Sequence, residues 1–371
     1  MVLKKKTLKL TGQDIVSIDI GQHTTKIVAG KPNRDGINIF QAISVPTPKE
    51  GFEKGRITDF ALMKKTIGQA LDANKIRSRT ALCSVESSEI ITRELLLPAA
   101  GEEQIEKMLE FEIQQYMPIE LSEYTVQSKM LEEIVDDGTD KLRMLVTAVP
   151  KDLARNYFDL MQSINLQPVV MDIQSNAIDK LLNSGFLFNG DTELMNEVVA
   201  VLDIGYTHIN IILFENGKYL FNRIINMGAR AINQNLANFM DLSYEESEKL
   251  KIDIVDLNKD YAFSEDEVDP GGDMAVKMRV LNIARNTIDS WLEEIERIFK
   301  YYTSRSAGNS IDSIYLYGGM TQMSGFDRYL QDAFNIKTNS ISSMAKLNMN
   351  KISGDAPLAS YLNALGTMIR K

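Results

Sequence analysis

The clearest pattern along the chain is a short apolar run that stops at a glycine and resumes after a few polar positions. DIVSIDI, residues 14–20, is rich in β-branched residues and ends at Gly21; TTKIVAGK follows at once. A run of that length bounded by glycine predicts a strand, and the short polar link predicts a tight hairpin that exposes backbone N–H groups. The segment EVVAVLDIGYTHINIILFENGKYLFNRIINMGAR, residues 197–230, repeats the design: apolar strand, Asp203-Ile204-Gly205, polar turn, apolar strand. Its ENGK then predicts a second hairpin into a third strand. The two aspartates, Asp19 and Asp203, lie about half the chain apart, which implies two related halves, each carrying one Asp-x-Gly hairpin.

Between the halves the period changes. TALCSVESSEIITRELLLP, from Thr80, reads as one or two strands. GEEQIEKMLEFEIQQYMPIE reads as an amphipathic helix with Ile105, Met108, Leu109, Ile113, Tyr116 and Met117 on one stripe, ended by Pro118. The strands YTVQSKMLEEI and LRMLVTAV follow, around the turn Asp136-Asp137-Gly138. Strand, helix, strand, strand is the content of a small inserted subdomain. PKDLARNYFDLMQSINLQP is again helical in period, PVVMDI is strand-like, and SNAIDKLLNSG is helical.

In the second half, ARAINQNLANFMD and YEESEKLKID read as consecutive helices, and VDLNKDYAFSEDEVDPGGD as an acidic, exposed excursion. A long helix over Ala275 to Ser304 carries Trp291, Ile295, Ile298 and Phe299 at core spacing. The segment SIDSIYLYGGMTQMSGFDRYLQDAF predicts strand, glycine turn and helix, and ASYLNALGTMIRK a final helix. The expected division is 12–79 and 166–190 as one subdomain, 80–165 as the insertion, 196–240 and 310–371 as the matching subdomain of the second half, and 241–309 as its companion.

Composition narrows the chemistry. The 371 residues, 44% hydrophobic and 25% charged, suit two to three globular domains. Against 41 Lys and Arg stand 51 Asp and Glu, a formal net charge of −10, and no concentrated basic face of nucleic-acid-binding scale appears. Cys83 is the single cysteine, which excludes an internal disulfide and fits a reducing cytoplasm; with two histidines it cannot build a zinc cage. No apolar run reaches the roughly 18 residues of a membrane span. The cluster Lys4, Lys5, Lys6 and Lys9 reads as a frayed, solvated start.

Two Asp-x-Gly hairpins and a strand ending in Gly-Gly together suggest a phosphate clamp, with backbone N–H groups turned toward a polyphosphate and glycine permitting its close approach. Asp19 and Asp203 are then candidate ligands of a hydrated Mg²⁺, acting through its water shell.

These segments, VSIDIGQHTTKIVAG, VAVLDIGYTHINIILF and IYLYGGMTQMSGFDRYL, resemble the signature of the actin-like ATPase superfamily over nearly the whole chain. The position of the insertion, with EFEIQQYMPIELSEYTVQ and TAVPKDLARNYFDLMQSINLQPVVMDIQSNAI, resembles its FtsA/PilM branch, and within it the PilM family of cytoplasmic type IV pilus assembly proteins. The resemblance implies an α/β, actin-like fold of two related domains around a nucleotide cleft, with an inserted subdomain termed 1C. It implies ATP with Mg²⁺ as ligand. Asp19, Gly21, Gln22, His23, Thr24 and Lys26 would form the first phosphate loop; Asp203, Gly205, Tyr206 and Thr207 the second. Gly228 would open a helix beside the phosphates, Glu248 and Lys251 would hold the ribose, and Gly318, Gly319 and Met320 would meet the adenine.

Alternatives stay open at several of these positions. Glu248 and Lys251 sit on one helix face either for ribose or as a solvated ion pair. Lys26 either reaches a phosphate or points outward. His23 and His208 read as polar turn residues rather than catalysts. Such ATPases position the attacking water with a Glu or Gln in the segment matching MDIQSNAI, where Asp172 is the candidate; so short a carboxylate predicts slow or negligible hydrolysis.

The same resemblance implies a partner: the cytoplasmic N-terminal peptide of a PilN-like inner-membrane protein, received in the groove between the first domain and the 1C insertion. The chain would then sit peripherally at the inner face of the cytoplasmic membrane. Self-association is also open. The competing functions are an FtsA-like cell-division filament protein, set against by the absence of an amphipathic tail after ASYLNALGTMIR, and a small-molecule kinase on the same fold.

Overall fold

A computed structural model describes residues 9–117, 119–136, 138–259, 272–304, 309–349 and 356–370. Lys4 to Lys6, Pro118, Asp137 and most of the acidic excursion lie outside the described residues, as does the Tyr116 side chain. Two compact units divide the chain: Met1–Lys180 with Asn348–Gly354 and Asn363–Lys371, and Leu181–Leu347 with Asp355–Leu362.

The first unit opens with β1 (Ile15–Ile20), every residue of which is buried, followed by the antiparallel β2 (Thr24–Pro32) and β3 (Ile37–Pro46). A two-stranded ribbon, β4 (Phe52–Glu53) and β5 (Arg56–Ile57), leads to α1 (Phe60–Ala73), whose start is capped by Asp59 accepting from the Leu62 N–H at 2.9 Å. Next comes β6 (Thr80–Val85), parallel to β1.

The insertion is β7 (Ile91–Pro98), α2 (Glu102–Tyr116), β8 (Tyr124–Asp136) and β9 (Thr139–Pro150), a sheet of order β7-β9-β8. Its small core joins Leu97, Leu142, Met144, Val146 and Ala148 to Leu109, Ile113 and Met117 of the helical stripe. After it, α3 (Lys151–Ser163) leads to β10 (Gln167–Ile173), parallel to β6, and α4 (Gln174–Asn183).

The insertion is therefore shorter than the expected 80–165. β6 lies between β1 and β10 in the main sheet, and Leu153, Tyr157, Leu160 and Met161 of α3 pack with Val16, Ile18 and Met63 of the main core.

The second unit repeats the topology. β11 (Val198–Ile204), β12 (Ile209–Glu215) and β13 (Lys218–Ile225) form an antiparallel meander, with Asn216 and Gly217 at φ 51° and 72° in the left-handed turn that the ENGK pattern predicts. α5 (Ala229–Met240), α6 (Tyr244–Ile254) and the long α7 (Asp273–Thr303) follow; Trp291, Ile295 and Phe299 of α7 are buried against the sheet. β14 (Ser313–Tyr317) runs parallel to β11, α8 (Phe326–Phe334) crosses over, and β15 (Lys337–Ser340) runs parallel to β14.

Read from the meander outward, the sheet orders β3-β2-β1-β6-β10 and β13-β12-β11-β14-β15 correspond strand for strand, and a short β16 (Leu347–Met349) extends the first. The last helix, α9 (Leu362–Thr367), differs from the expected grouping of 310–371: its residues from Asn363 onward belong with the first unit. The reason is local packing. Gly366 lies so close to Ala177 that a Cβ there would stand 2.2 Å from the Ala177 carbonyl oxygen, and the Thr367 and Ser17 hydroxyls are 2.5 Å apart.

Candidate functional site: the two Asp-x-Gly hairpins

Each hairpin closes in the same way. The Gly21 N–H donates to the Thr24 carbonyl at 3.1 Å, and the Gly205 N–H donates to the His208 carbonyl at 3.1 Å. A Cβ at Gly21 would stand 2.8 Å from the Thr24 oxygen, and one at Gly205 would stand 2.7 Å from the His208 oxygen, so both turns require glycine.

In the first unit, register sets a row of polar side chains across the sheet: Lys26 of β2 opposite Asp19 of β1, Ser84 of β6 beside it, and Asp172 of β10 at the end. Asp19 is 2% exposed and accepts from the Ser84 hydroxyl at 2.5 Å and from the Gln174 amide at 3.2 Å. Lys26 leans over the turn, its Nζ 3.2 Å from where a Gly21 Cβ would be, so the ammonium is at the loop and not turned away from it.

Other members of the first loop serve the fold. Gln22 donates to the Phe52 carbonyl at 2.5 Å and accepts from the Lys54 N–H at 3.1 Å, which ties the turn to the β4–β5 ribbon. The His23 carbonyl accepts from the Thr47 N–H at 2.9 Å while its side chain is exposed. Thr24 is half-buried at the head of β2.

Asp172 is buried and paired. Lys180 stands 2.5 Å from its Oδ2, and the Asn176 amide donates to its Oδ1 at 2.7 Å. Burial pushes the Lys180 ammonium below its ordinary value, opposed by the Asp172 charge. Gln174, two residues on, was not singled out in the sequence. Its amide nitrogen is committed to Asp19, and its Oε1 is buried with no hydrogen-bond partner among the described residues.

In the second unit, Asp203 is 6% exposed at the end of β11, opposite Asn210 and beside Tyr317. Gly318, at φ 94°, passes so near that a Cβ would lie 2.3 Å from the Asp203 Oδ1. Gly228 is likewise pressed on the second turn, where a Cβ would stand 2.7 Å from the Gly205 and Tyr206 carbonyl oxygens, and the first N–H groups of α5 donate back: Ala229 to Gly205 at 3.1 Å, Arg230 to Tyr206 at 2.8 Å.

Tyr206 meets the Tyr244 hydroxyl at the start of α6; burial and that bond push the Tyr206 phenol well above its usual range. Thr207 and His208 contact each other at 3.4 Å. Glu248 and Lys251 are both half-buried on α6, and burial lowers the Lys251 ammonium while Glu248 opposes the shift, unlike a solvated surface pair. Gly319 has open space where a Cβ would be, whereas Met320 is packed into the core of the second unit. Among the described residues, no group of three or more His, Cys, Asp or Glu is placed to hold a metal ion, so each aspartate stands in its loop without a cage.

Duplicated meanders, each with a buried aspartate and a glycine turn at the end of the central strand, define the actin-like ATPase fold, as the sequence pattern implies. A profile of the type IV pilus assembly protein PilM family matches residues 17–269, more than half of the chain, and the chain belongs to that family. A profile of cell division protein FtsA matches residues 200–365. FtsA of Bacillus subtilis (strain 168) is 25% identical over 343 residues, covering 85% of this chain and 76% of that relative.

Among solved structures, the PilM-PilN type IV pilus biogenesis complex superposes with a TM-score of 0.73 at 17% identity, covering 95% of this chain and 97% of the other. The ethanolamine utilization protein EutJ of Carboxydothermus hydrogenoformans reaches 0.55 at 12% identity, covering 99% and 93%. MreB5 of Spiroplasma citri bound to AMPPNP reaches 0.52 at 10% identity, covering 96% and 95%. Among the described residues no helix is long and apolar enough to cross a membrane.

Proposed function

We propose that the chain is an ATP-binding scaffold of type IV pilus or related secretion machinery, held at the inner face of the cytoplasmic membrane by the N-terminal peptide of a PilN-like inner-membrane protein. One observation carries the nucleotide reading: Asp19 sits buried beneath a turn that only glycine permits, with Lys26 over the turn and the unpartnered Gln174 Oε1 beside it. An orphaned buried acceptor next to a glycine cradle fits a ligand with bound water.

Asp19 and Asp203, each at the turn of its own unit, would act on Mg²⁺ through its water shell, since no group of three or more His, Cys, Asp or Glu among the described residues is placed to hold a bare ion. Gly21 and Gly205 shape the two phosphate turns, and Lys26 supplies positive charge at the first. The bound nucleotide supplies the phosphoanhydride; the residues bind, orient and exclude water. Gln174 takes the water-orienting role anticipated for this segment in preference to Asp172, because Asp172 is consumed by Lys180 and Asn176.

Titrating a fluorescent ATP analogue should give saturable binding that Asp19→Ala and Asp203→Ala each weaken at least tenfold, the usual scale for a charged contact to a bound phosphate–metal group. Affinity unchanged from the parent in both variants sinks the nucleotide reading. A phosphate-release assay should show slow turnover that Gln174→Ala lowers with little change in affinity.

For the partner, the supporting feature is a sheet with two open edges, β7 and β8, on which Leu96 and Met130 are about half exposed at 50% and 53%. An extended peptide gains backbone bonds at such an edge. Fluorescence anisotropy with the first residues of the partner should saturate, and Met130→Asp should weaken it; no saturable binding with nucleotide present counts against this reading.

A further inference from the structure

Lys129 ties the inserted sheet to the body of the first unit. Its backbone is fixed in β8 opposite Leu145 of β9, while its ammonium is paired with the Asp179 carboxylate of α4 and donates to the Asn176 side-chain oxygen at 3.4 Å. Asp179 is 3% exposed and the Lys129 side chain 39%, so a cation at the rim of the insertion holds a carboxylate buried in the main body. The chain enters and leaves the insertion at β7 and β9, whereas Lys129 lies midway along β8. The tie is therefore additional to the covalent connections.

The helix that Lys129 holds is the one that carries Gln174. α4 begins at Gln174, whose amide donates to Asp19 at 3.2 Å and whose Oε1 is buried with no hydrogen-bond partner among the described residues. Asn176, Asp179 and Lys180 stand at i, i+3 and i+4, on one face of the helix. Asn176 extends the contact inward by donating to the Asp172 Oδ1 at 2.7 Å, and Asp172 lies in register with Ser84, the donor to Asp19. From Gln174 to Asp179 is about 7.5 Å of helix. Over so short a length the helix moves as one piece, and a shift at Asp179 is also a shift at Gln174. A side chain that orients a reacting water tolerates little displacement, since about 1 Å can cost up to roughly a hundredfold in rate.

We infer that Lys129 is a positioning residue for the phosphate site: through Asp179 and Asn176 it holds α4 where Gln174 meets Asp19, which makes the inserted sheet a control element of that site. The inference rests on the nucleotide reading above and adds to it a means of regulation. Met130, the next residue of the same edge strand, is exposed, so a ligand lying along β8 sits one residue from the tie. A ligand there that favours either the tied or the released arrangement shifts the phosphate site with it, and bound nucleotide acts back on that edge by the same factor.

The test uses the full chain and a double-mutant cycle. Phosphate release at saturating ATP should fall about fivefold in Lys129→Met, with affinity for the fluorescent ATP analogue kept within about twofold, and Lys129→Arg should restore most of the rate. In the Gln174→Ala background Lys129→Met should have no further effect, because Lys129 acts through Gln174. Hydrogen exchange of the nucleotide-free chain supplies a reading that needs no turnover. Amides 177–180 of α4 should exchange about fivefold faster in Lys129→Met and, independently, in Asp179→Asn, while β11 and β12 keep the parental rate. Circular dichroism confirms that the variants fold. Equal loss of rate in the parent and Gln174→Ala backgrounds overturns the proposal, since a general structural loss has that signature, and so does unchanged exchange in α4. Absence of ATP binding by the parent is instead the failure of the nucleotide reading, and the exchange result then decides the tie alone.

Discussion

At the scale of single residues, the loops are governed by close approaches rather than by exposed reactive groups. Gly318 combines a left-handed φ of 94° with a space already filled by the Asp203 carboxylate, at 2.3 Å from a would-be Cβ. Gly318→Ala therefore meets both backbone strain and a displaced carboxylate, and should destabilise the chain by about 2 to 4 kcal/mol in urea unfolding while weakening nucleotide binding. Ser84→Ala tests the other carboxylate: it removes the 2.5 Å donor to a 2% exposed oxygen pair and should cost about 1 to 3 kcal/mol. The aspartates and glycines were visible in the sequence because the motif occurs twice. Gln174 was not, since its placement depends on a hydrogen bond that its side-chain amide donates to Asp19, which is far away in the chain, and no local pattern reports that pairing.

At the scale of elements, strand and helix periods were readable but their destinations were not. TALCSV has the apolar run of a buried strand whichever sheet it joins, and the stripe of α3 is equally suited to the insertion or the main core. Only parallel pairing with β1 and β10, and the packing of Tyr157 with the main core, assign them to the first unit. Arg56 of β5 marks the true stems of the insertion. It pairs with Glu89, just before β7, and with Asp152 at 2.8 Å, just after β9.

The guanidinium holds both carboxyls below their ordinary values. Their folded values lie below their unfolded ones, so this stabilisation is present above about pH 4 to 5 and is lost as pH falls through the depressed values. The groups are partly exposed, which limits the effect to about 1 kcal/mol in total. Arg56→Met should lower the urea midpoint at pH 7 and speed proteolysis of the two stems, and the gap to the parent should close at acid pH. A gap that is independent of pH would show that the loss is packing alone.

At the scale of the whole molecule, the repeated topology means that each unit has its own core and its own glycine turn beside a buried aspartate, so a nucleotide that engaged both turns would be linked to the stability of both. Binding to the native state alone adds about 2.7 kcal/mol at a hundred times the dissociation constant. In units of this size, that should raise the melting temperature by roughly 4 to 10 °C. If ATP reads only the first turn, Asp203→Ala keeps the shift and only the first unit is protected. If it reads both, Asp19→Ala and Asp203→Ala each cut the shift by about half or more, and hydrogen exchange slows in β1, β6, β11 and β14 of the parent alike. We expect the second pattern, because both aspartates are buried at equivalent ends of their central strands and both turns carry the same glycine-closed bond. Protection confined to β1 and β6 would instead assign the second hairpin a purely structural part, with Asp203 serving only the turn around Gly318.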